Sequence, residues 1–223
     1  MIRWQGCDAA GRQPQFGRRI IVKPLATGSS RLTTRLIGEV RACTLCTRDL
    51  PLGPRPVLQV HSDAKILIAG QAPGSKVHQS GVPFDDASGD RLRLWMGIDT
   101  GMFYDARNVA ILPMGFCYPG TGKSGDLPPR PECARTWRDR LLAGMPAIRL
   151  TLVIGQYAQA WHLNEAAKAT LTDTVAAWRE YWPNQLPLPH PSPRNNIWLK
   201  RNAWFETDVL PSLRKRIAHI LKA

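Results

Sequence analysis

The sequence contains no long apolar run and comparatively few acidic residues. Hydrophobic residues make up 43% of the 223 positions, which suits a globular chain, and no apolar stretch approaches the roughly 20 residues that span a bilayer. The opening stretch, MIRWQGCDAAGRQPQFGRR, lacks the continuous apolar segment of about 7 to 15 residues that a secretory signal contains. We therefore expect a soluble, cytoplasmic protein, nucleoid-associated in a bacterium, with no membrane partner.

The shortage of acidic residues leaves a large positive charge. Thirty Lys and Arg residues outnumber 17 Asp and Glu residues, which gives a formal net charge of +13 and a pI near 10.1. Such an excess favours a polyanionic partner through counterion release. Nucleic acid is the leading candidate, and a generically basic protein is the alternative.

Cysteine is too scarce, for a chain of this size, to form a disulfide scaffold. The five cysteines, without a sign of secretion, favour metal ligands or buried thiols. Cys43 and Cys46 form a Cys-x-x-Cys pair, Cys117 and Cys133 follow far downstream, and Cys7 lies apart. Four thiolates can hold a [4Fe-4S] cluster or a tetrahedral zinc ion, and spacing does not choose between them. Alternatively, the last two cysteines are ordinary buried residues.

Short runs rich in Ile, Val and Leu alternate with amphipathic segments. The apolar runs, which predict buried parallel strands, are KILIAG (65–70), NVAILP (108–113), LTLVIG (150–155) and LPLPH (186–190). The segments SGDRLRLWMGI, PECARTWRDRLLAG and EAAKATLTDTVAAWREYW predict helices, the second opening with Pro131 and closing at Gly144. This alternation predicts an α/β fold whose post-strand loops share one edge of the sheet.

The length predicts one domain, residues 31–223, after an N-terminal extension, residues 1–30. The extension mixes Gly, Arg, Gln and Pro with little periodicity. From Leu32 a helical pattern leads into the cysteine pair.

Two of the post-strand loops contain unusual residues. The first leaves its strand through GQAPG (70–74), whose small residues let a ligand approach the backbone, although a plain turn explains them equally well. The last reads HPSPRN (190–195), where two prolines stiffen the backbone after a histidine at the end of a strand. A histidine at the same sheet edge as a glycine-rich turn is a candidate catalytic residue.

These motifs resemble those of the uracil-DNA glycosylase superfamily. Its members pair a strand-ending motif such as GEAPG, GQDPY or GMNPG with a late motif that begins His-Pro, and both occur here in order. The stretch GVPFDDASGDRL is similar to the GRPFVGxAGxxL of the family 4 enzymes, and HPSPRN is similar to the single-strand-selective monofunctional family. The resemblance implies a three-layer fold with a central four-stranded parallel sheet flanked by helices.

The resemblance also implies an activity and a cofactor. The activity is that of a DNA repair glycosylase, which hydrolyses the N-glycosidic bond of uracil, with other deaminated bases left open, and releases abasic DNA. A protein that binds uracil-containing or abasic DNA with little turnover is the alternative. Cys43, Cys46, Cys117 and Cys133 resemble the ligands of the structural [4Fe-4S] cluster of families 4 and 5, with zinc less favoured. We expect a monomer.

Site roles follow from the same resemblance. His190 is expected to donate a hydrogen bond to the base and stabilise the leaving anion, and Phe84 is expected to stack on the flipped base. The HPSPRN loop is expected to push into the duplex. Arg194, Lys200 and Arg201 are candidates to contact phosphates, and a solvated charged face is the alternative. The residues assigned to substrate contact are Gly70, Ala72, Pro73, Gly74, Phe84, Ser192 and Arg194.

The chain departs from its relatives at the position that activates water. Gln71 stands where family 4 enzymes have glutamate, and Ala72 stands where other families have aspartate or asparagine. Gln71 is one candidate to orient water, and Asp85 and Asp86 are others, because family 5 enzymes use an aspartate from the comparable stretch. Asp86 is preferred, although the acidic pair is also typical of a helix cap. The second strand ends ILPMGFC, without the asparagine with which many relatives read uracil, so base selectivity stays open.

Overall fold

The computed structural model describes residues 29–123 and 125–222. Within these ranges no helix combines the length and the apolar character needed to cross a membrane. The predicted extension, residues 1–30, lies outside the described residues except at its last two positions, where the first helix begins. Cys7 also lies outside them.

Helices and strands alternate along the described chain. In order, the elements are α1 (Ser29–Arg41), β1 (Ile66–Ala69), α2 (Ser75–Ser80), α3 (Ala87–Met96), α4 (Thr100–Tyr104), β2 (Val109–Ile111), β3 (Thr121–Gly122), β4 (Gly125–Asp126), α5 (Pro131–Cys133), α6 (Asp139–Ala143), β5 (Leu150–Ile154), α7 (Gly155–His162), α8 (Leu171–Ala176), β6 (Gln185–Leu188), α9 (Asn196–Arg201) and α10 (Leu210–Lys222). The π-helical segments Ala134–Arg138 and Phe205–Val209 lead into α6 and α10.

Strands β1, β2, β5 and β6 form one parallel sheet in the order β2-β1-β5-β6. All residues of β1, β2 and β5 are buried, which is why these strands are continuous apolar runs in the sequence. The predicted α/β fold with a four-stranded parallel sheet is confirmed.

Alternate strand residues contact different sets of helices. On one face Ile68 belongs to the same apolar cluster as Trp95 of α3 and Leu213 of α10. On the other face Leu67 belongs to a cluster with Leu141 of α6. Because successive side chains of a strand point to opposite faces, the sheet is the middle of three layers.

One predicted helix is wrong as a continuous element. The segment EAAKATLTDTVAAWREYW contains α8 with a 3-10 turn on either side. The chain starts a new helix at α8 because the Thr170 hydroxyl accepts a hydrogen bond from the Asp173 backbone N–H at 3.1 Å and forms an N-cap. The other two segments are helical, and the second runs from Pro131 through a π-helical segment to Ala143.

The loops after β1 and β2 are joined at the carboxyl edge of the sheet. The Met114 N–H donates to the Gly70 carbonyl at 2.8 Å, and the Gly115 N–H donates to the Gln71 carbonyl at 3.0 Å. The antiparallel strands β3 and β4 form a small ribbon within the loop after β2. The sequence did not predict this ribbon, which extends the edge where ligands bind in open α/β folds.

Candidate active site

A cavity of about 400 Å³ opens at the carboxyl edge of the sheet. Ligand sites in proteins commonly have volumes of about 300 to 1,000 Å³. The predicted site residues that line the cavity are Gly70, Gln71, Ala72, Pro73, Gly74, Phe84, Asp86, His190, Ser192 and Arg194. Asp85 is exposed and is not part of the lining, so the structure separates it from the other candidates. Three separate segments of the chain thus meet at one cavity.

The His190 ring is oriented by its own loop. The Ser192 backbone N–H donates to Nδ1 of His190 at 3.2 Å, and the Asn195 side-chain amide donates to the His190 carbonyl at 2.7 Å. Because Nδ1 accepts a hydrogen bond, the proton of the neutral ring is on Nε2. Burial lowers the pKa of His190, although the Asp86 and Asp126 carboxylates oppose this effect. At neutral pH His190 is therefore a neutral ring with an Nε2–H donor.

The HPSPRN loop is anchored to α3 by Arg91. The guanidinium donates to the Ser192 carbonyl at 3.1 Å and to Oδ1 of Asn196 at 2.8 Å. The analysis of the sequence missed Arg91, because 101 residues separate it from Ser192 and no local pattern marks the contact. This contact fixes the loop that positions His190.

Phe84 forms one wall of the cavity and has an unusual backbone conformation. Its φ of +55° lies in the left-handed region, which costs a non-glycine residue on the order of 1–3 kcal/mol. The Tyr104 hydroxyl donates at 3.1 Å to the carbonyl of Pro83, the residue before Phe84. The Phe84 ring packs edge-on against Phe103. A Cβ added to Gly70 would lie 3.6 Å from Cζ of Phe84, so the ring tip lies against the first motif.

Gly89 allows α3 to begin next to Phe84. A Cβ at this position would lie 1.8 Å from the Phe84 carbonyl oxygen, a distance that backbone atoms cannot tolerate. The glycine in PFDDASGD is therefore required by the close approach of α3 to the cavity wall.

Asp86 both lines the cavity and caps α3. Its Oδ1 accepts hydrogen bonds from the Ser88 and Gly89 backbone N–H groups at 2.9 and 3.0 Å. The cap interpretation is confirmed, and it occupies one of the two carboxylate oxygens.

The Gln71 side chain joins the first motif to the ribbon after β2. Its Nε2 donates to the Leu127 carbonyl at 3.1 Å, directly after β4. The bond uses the amide nitrogen and leaves the amide oxygen as an acceptor. A neutral amide can orient a water molecule but cannot take its proton.

Asp126, the last residue of β4, is a cavity residue that the analysis of the sequence missed. Its carboxylate is exposed and accepts a hydrogen bond from the Thr121 hydroxyl at 3.3 Å. The available signal was the stretch GTGKSGD, in which several glycines precede an aspartate, as in tight turns between short strands.

A buried arginine holds the end of β2. Arg138 donates to the Leu112 and Pro113 carbonyls at 2.9 and 3.0 Å, and burial lowers its pKa to about 9. Ile111, the last residue of β2, and Pro113 line the cavity. This wall is apolar and supplies no side-chain amide to a base.

Exposed cations occur on the loops around the cavity. Lys76 follows the first motif, Lys123 lies on the ribbon, and Arg194 lines the cavity, and all three are exposed. Within the described ranges none of them forms an ion pair. Such unpaired cations suit contact with a polyanion.

The four predicted ligand cysteines line a second cavity. They are Cys43, Cys46, Cys117 and Cys133, none of which forms a disulfide. The Trp137 indole N–H donates to the sulfur of Cys43 at 3.4 Å. The Phe116 backbone N–H donates to the sulfur of Cys133 at 3.3 Å. The four predicted ligands therefore border one cavity, and hydrogen-bond donors are directed at the sulfurs of Cys43 and Cys133.

Cys117 and Cys133 are not poised as nucleophiles. Burial raises the pKa of Cys117 to about 11 and that of Cys133 to about 12. Both are protonated at neutral pH without a metal, and metal ligation would release those protons. Among the described residues no three His, Cys, Asp or Glu side chains are gathered closely enough to hold a single metal ion.

Comparison with known protein families agrees with the geometry of the first cavity. The family model described as the uracil DNA glycosylase superfamily matches residues 59–214, more than half of the chain. The matched range includes the GQAPG turn, Phe84 and His190, and it begins after Cys43 and Cys46. The chain therefore belongs to the uracil DNA glycosylase superfamily, whose members are glycosylases that act on DNA.

Proposed function

We propose that this protein is a monofunctional glycosylase that hydrolyses the N-glycosidic bond of uracil in DNA and leaves an abasic site. The observation that carries the proposal is the convergence of Gln71, Phe84 and His190 on one cavity. The GVPFDDASGDRL stretch and the cysteine pattern favour kinship with families 4 and 5, and HPSPRN favours a late loop like that of the single-strand-selective family.

Base recognition begins with extrusion of the nucleotide from the stack. Unstacking costs a few kcal/mol, which stacking on an aromatic side chain offsets in part. Phe84 is the wall on which the base stacks, and its fixed backbone means that little ordering is needed on binding. Arg194 is exposed and lines the cavity, and in this proposal its side chain fills the gap that the flipped base leaves in the duplex.

Departure of the base develops negative charge on its ring and positive charge on the sugar. The Nε2–H of His190 donates a hydrogen bond to the base oxygen that gains charge. Because the ring is neutral and held through Nδ1, the donor is in place before the bond breaks. A preorganised donor of this kind lowers the barrier by about 2.7–4 kcal/mol.

On the sugar side a water molecule must be held against the developing cation. The free amide oxygen of Gln71 accepts a hydrogen bond from that water. Asp86, which retains one carboxylate oxygen beyond its cap bonds, adds negative charge that stabilises the sugar cation.

We propose that the four cysteines hold a structural [4Fe-4S] cluster. Thiols spaced around a shared apolar cavity, with N–H donors to two sulfurs, suit a cluster of several atoms. A cluster held by these residues would join the end of α1 to the loop after β2, and its role would be structural, because hydrolysis of a glycosidic bond requires no electron. Iron and sulfide analysis of the purified protein should give about four of each per chain, whereas one zinc ion would contradict the assignment.

The direct test of the activity is incubation of the purified protein with uracil-containing oligonucleotides, both single-stranded and double-stranded. We expect free uracil and alkali-labile abasic DNA. Parallel hypoxanthine and xanthine substrates measure base preference, which the apolar wall at Ile111 and Pro113 leaves broad. Absence of product from every substrate would contradict the proposal.

A second candidate function is tight binding of uracil-containing or abasic DNA with little turnover. The observation that favours it is the absence of a carboxylate from GQAPG, where Gln71 is bonded to Leu127. Comparison of burst and steady-state base release separates the two functions, because a product-inhibited enzyme completes one turnover and then stalls. Gel shifts without any released base would support the binding protein.

A further inference from the structure

The proposed function leaves one chemical requirement without a residue, namely a group that takes the proton of the attacking water. The Gln71 amide is not a base. Asp86 caps α3 through Oδ1, and its one free oxygen is assigned above to stabilising the sugar cation. Among the described residues that line the cavity, the remaining carboxylate is Asp126.

The Asp126 carboxylate is positioned against the first motif. A Cβ added to Gly74 would lie 3.5 Å from Oδ2 of Asp126, so this oxygen lies beside the last residue of GQAPG. The Thr121 hydroxyl donates to Oδ1 at 3.3 Å. The Tyr118 hydroxyl lies 2.5 Å from that of Thr121 and, since Thr121 has a single proton to donate, Tyr118 is the donor to Thr121. These bonds orient Oδ1 and leave Oδ2 for water.

Gln71 helps to hold the ribbon that presents this carboxylate. Its Nε2 donates to the Leu127 carbonyl at 3.1 Å, and the Leu127 N–H donates to the Gly120 carbonyl at 2.8 Å. The residue that stands in place of a carboxylate in the first motif is thus bonded to the residue directly after Asp126.

The charge of Asp126 needs an explanation in a protein that binds DNA. An exposed carboxylate beside a DNA-binding cavity is repelled by phosphates, and the chain as a whole has a net charge of +13. The same charge stabilises a cation that forms on the sugar inside the cavity. Asp126 is close enough to His190 to oppose the fall in the pKa of that ring, as Asp86 is.

We infer that Asp126 is the catalytic carboxylate of this site, an assignment that rests on the proposed glycosylase function. The bond between C1′ and the base nitrogen breaks, and its electron pair leaves on the base. The water oxygen bonds to C1′, and the proton it loses passes to Oδ2 of Asp126. That proton then reaches the departed base through solvent, so that one water is added across the bond and the carboxylate is restored.

The experiment compares single-turnover uracil release by the full-length wild type, Asp126→Asn and Asp86→Asn. Asp63→Asn is the matched control, because Asp63 precedes β1 and lies at the opposite edge of the sheet. We expect Asp126→Asn to lower the rate by about 100-fold or more, as loss of a general base does. Affinity for uracil-containing DNA should be unchanged or higher, because a repulsive charge has been removed.

A further variant, Asp126→Glu, keeps a carboxylate on the ribbon and leaves the Gln71 bond to Leu127 in place. We expect it to retain at least about tenfold more activity than Asp126→Asn. If Asp126→Asn also lowers the melting temperature, higher activity of Asp126→Glu supports the assignment, and equal activity of the two variants overturns it.

Failure of the inference is distinct from failure of the proposed function. An active wild type with Asp126→Asn within about threefold of its rate overturns the role of Asp126 and leaves the glycosylase intact. A wild type that releases no base overturns the glycosylase itself.

Discussion

Two cavities adjoin the loop after β2 and differ in their chemistry. The cavity lined by Phe84 and His190 is called the base cavity, and the cavity lined by the four cysteines is called the cysteine cavity. Pro113 lines the first and Cys117 the second. The base cavity contains His190 with a free N–H donor, whereas the cysteine cavity contains thiols that burial keeps protonated. One cavity is arranged to exchange hydrogen bonds with a ligand that arrives and leaves. The other is the site for which we propose a permanent structural group.

The largest effect is expected from His190→Ala. Removal of one preorganised donor should lower single-turnover base release by about 100- to 1,000-fold. Melting temperature and iron content should stay at the wild-type value, because the four cysteines line a different cavity. His61→Ala, a partly exposed histidine before β1, is the control. A His190→Ala rate close to that of the control would contradict the role of His190 as hydrogen-bond donor to the base.

Loss of a predicted ligand cysteine should lower iron content and melting temperature, the two quantities that His190→Ala leaves unchanged. Cys133→Ser is expected to lose iron and to lower the melting temperature by about 10 °C, since each kcal/mol shifts the midpoint of a domain this size by about 2–4 °C. Cys7→Ser, outside the predicted ligand set, should change neither quantity. Metal content and thermal unfolding measure both. Full iron content in Cys133→Ser would contradict a four-cysteine site.

Gly89→Ala tests whether the Phe84 wall needs its close contact with α3. The added Cβ meets the Phe84 carbonyl, and such overpacking costs about 1–3 kcal/mol. We expect a lower free energy of unfolding in denaturant titration and slower base release, because the wall must shift. Gly38→Ala in α1 is the matched control, since its Cβ has no neighbour within 4 Å, and it should be neutral or slightly stabilising. Equal stability of the two variants would contradict the packing described for Phe84.

The smallest effect concerns His162, which contacts Arg138, the residue that holds the loop after β2. Burial and the Arg138 guanidinium hold the pKa of His162 well below its ordinary value. The unfolded chain binds a proton here below about pH 6.5 and the folded chain does not, so stability is lost as pH falls from about 7 to 5. The loss from this group is at most about 1.4 kcal/mol per pH unit, and its contribution to stability is constant above that range.

Thermal unfolding across this pH range measures the effect. His162→Gln keeps a side-chain acceptor for Arg138 and removes the titration, so its melting temperature should depend less on pH. The exposed His219→Gln is the control. An unchanged pH dependence in His162→Gln would show that this ring titrates as it does in the unfolded chain.

Features with a local sequence signal were predictable, and features made by distant contacts were not. Buried strands are continuous apolar runs, so β1, β2, β5 and β6 were found, together with the shared edge of their loops. The broken helix around α8 was missed because its pattern stays amphipathic while Thr170 caps a new helix. Arg91 and Arg138 were missed because each acts through partners far along the chain. Asp126 was missed because the stretch GTGKSGD indicates a turn but does not show that the turn lies beside Gly74.

The central claim is that an extruded uracil occupies the cavity between Phe84 and His190. The most direct measurement is a crystal structure of the wild type with an oligonucleotide that contains 2′-fluoro-2′-deoxyuridine, whose glycosidic bond resists cleavage. We expect the uracil ring against Phe84, with a base oxygen within hydrogen-bond distance of Nε2 of His190. A uracil bound at any other surface, with this cavity empty, would contradict the account.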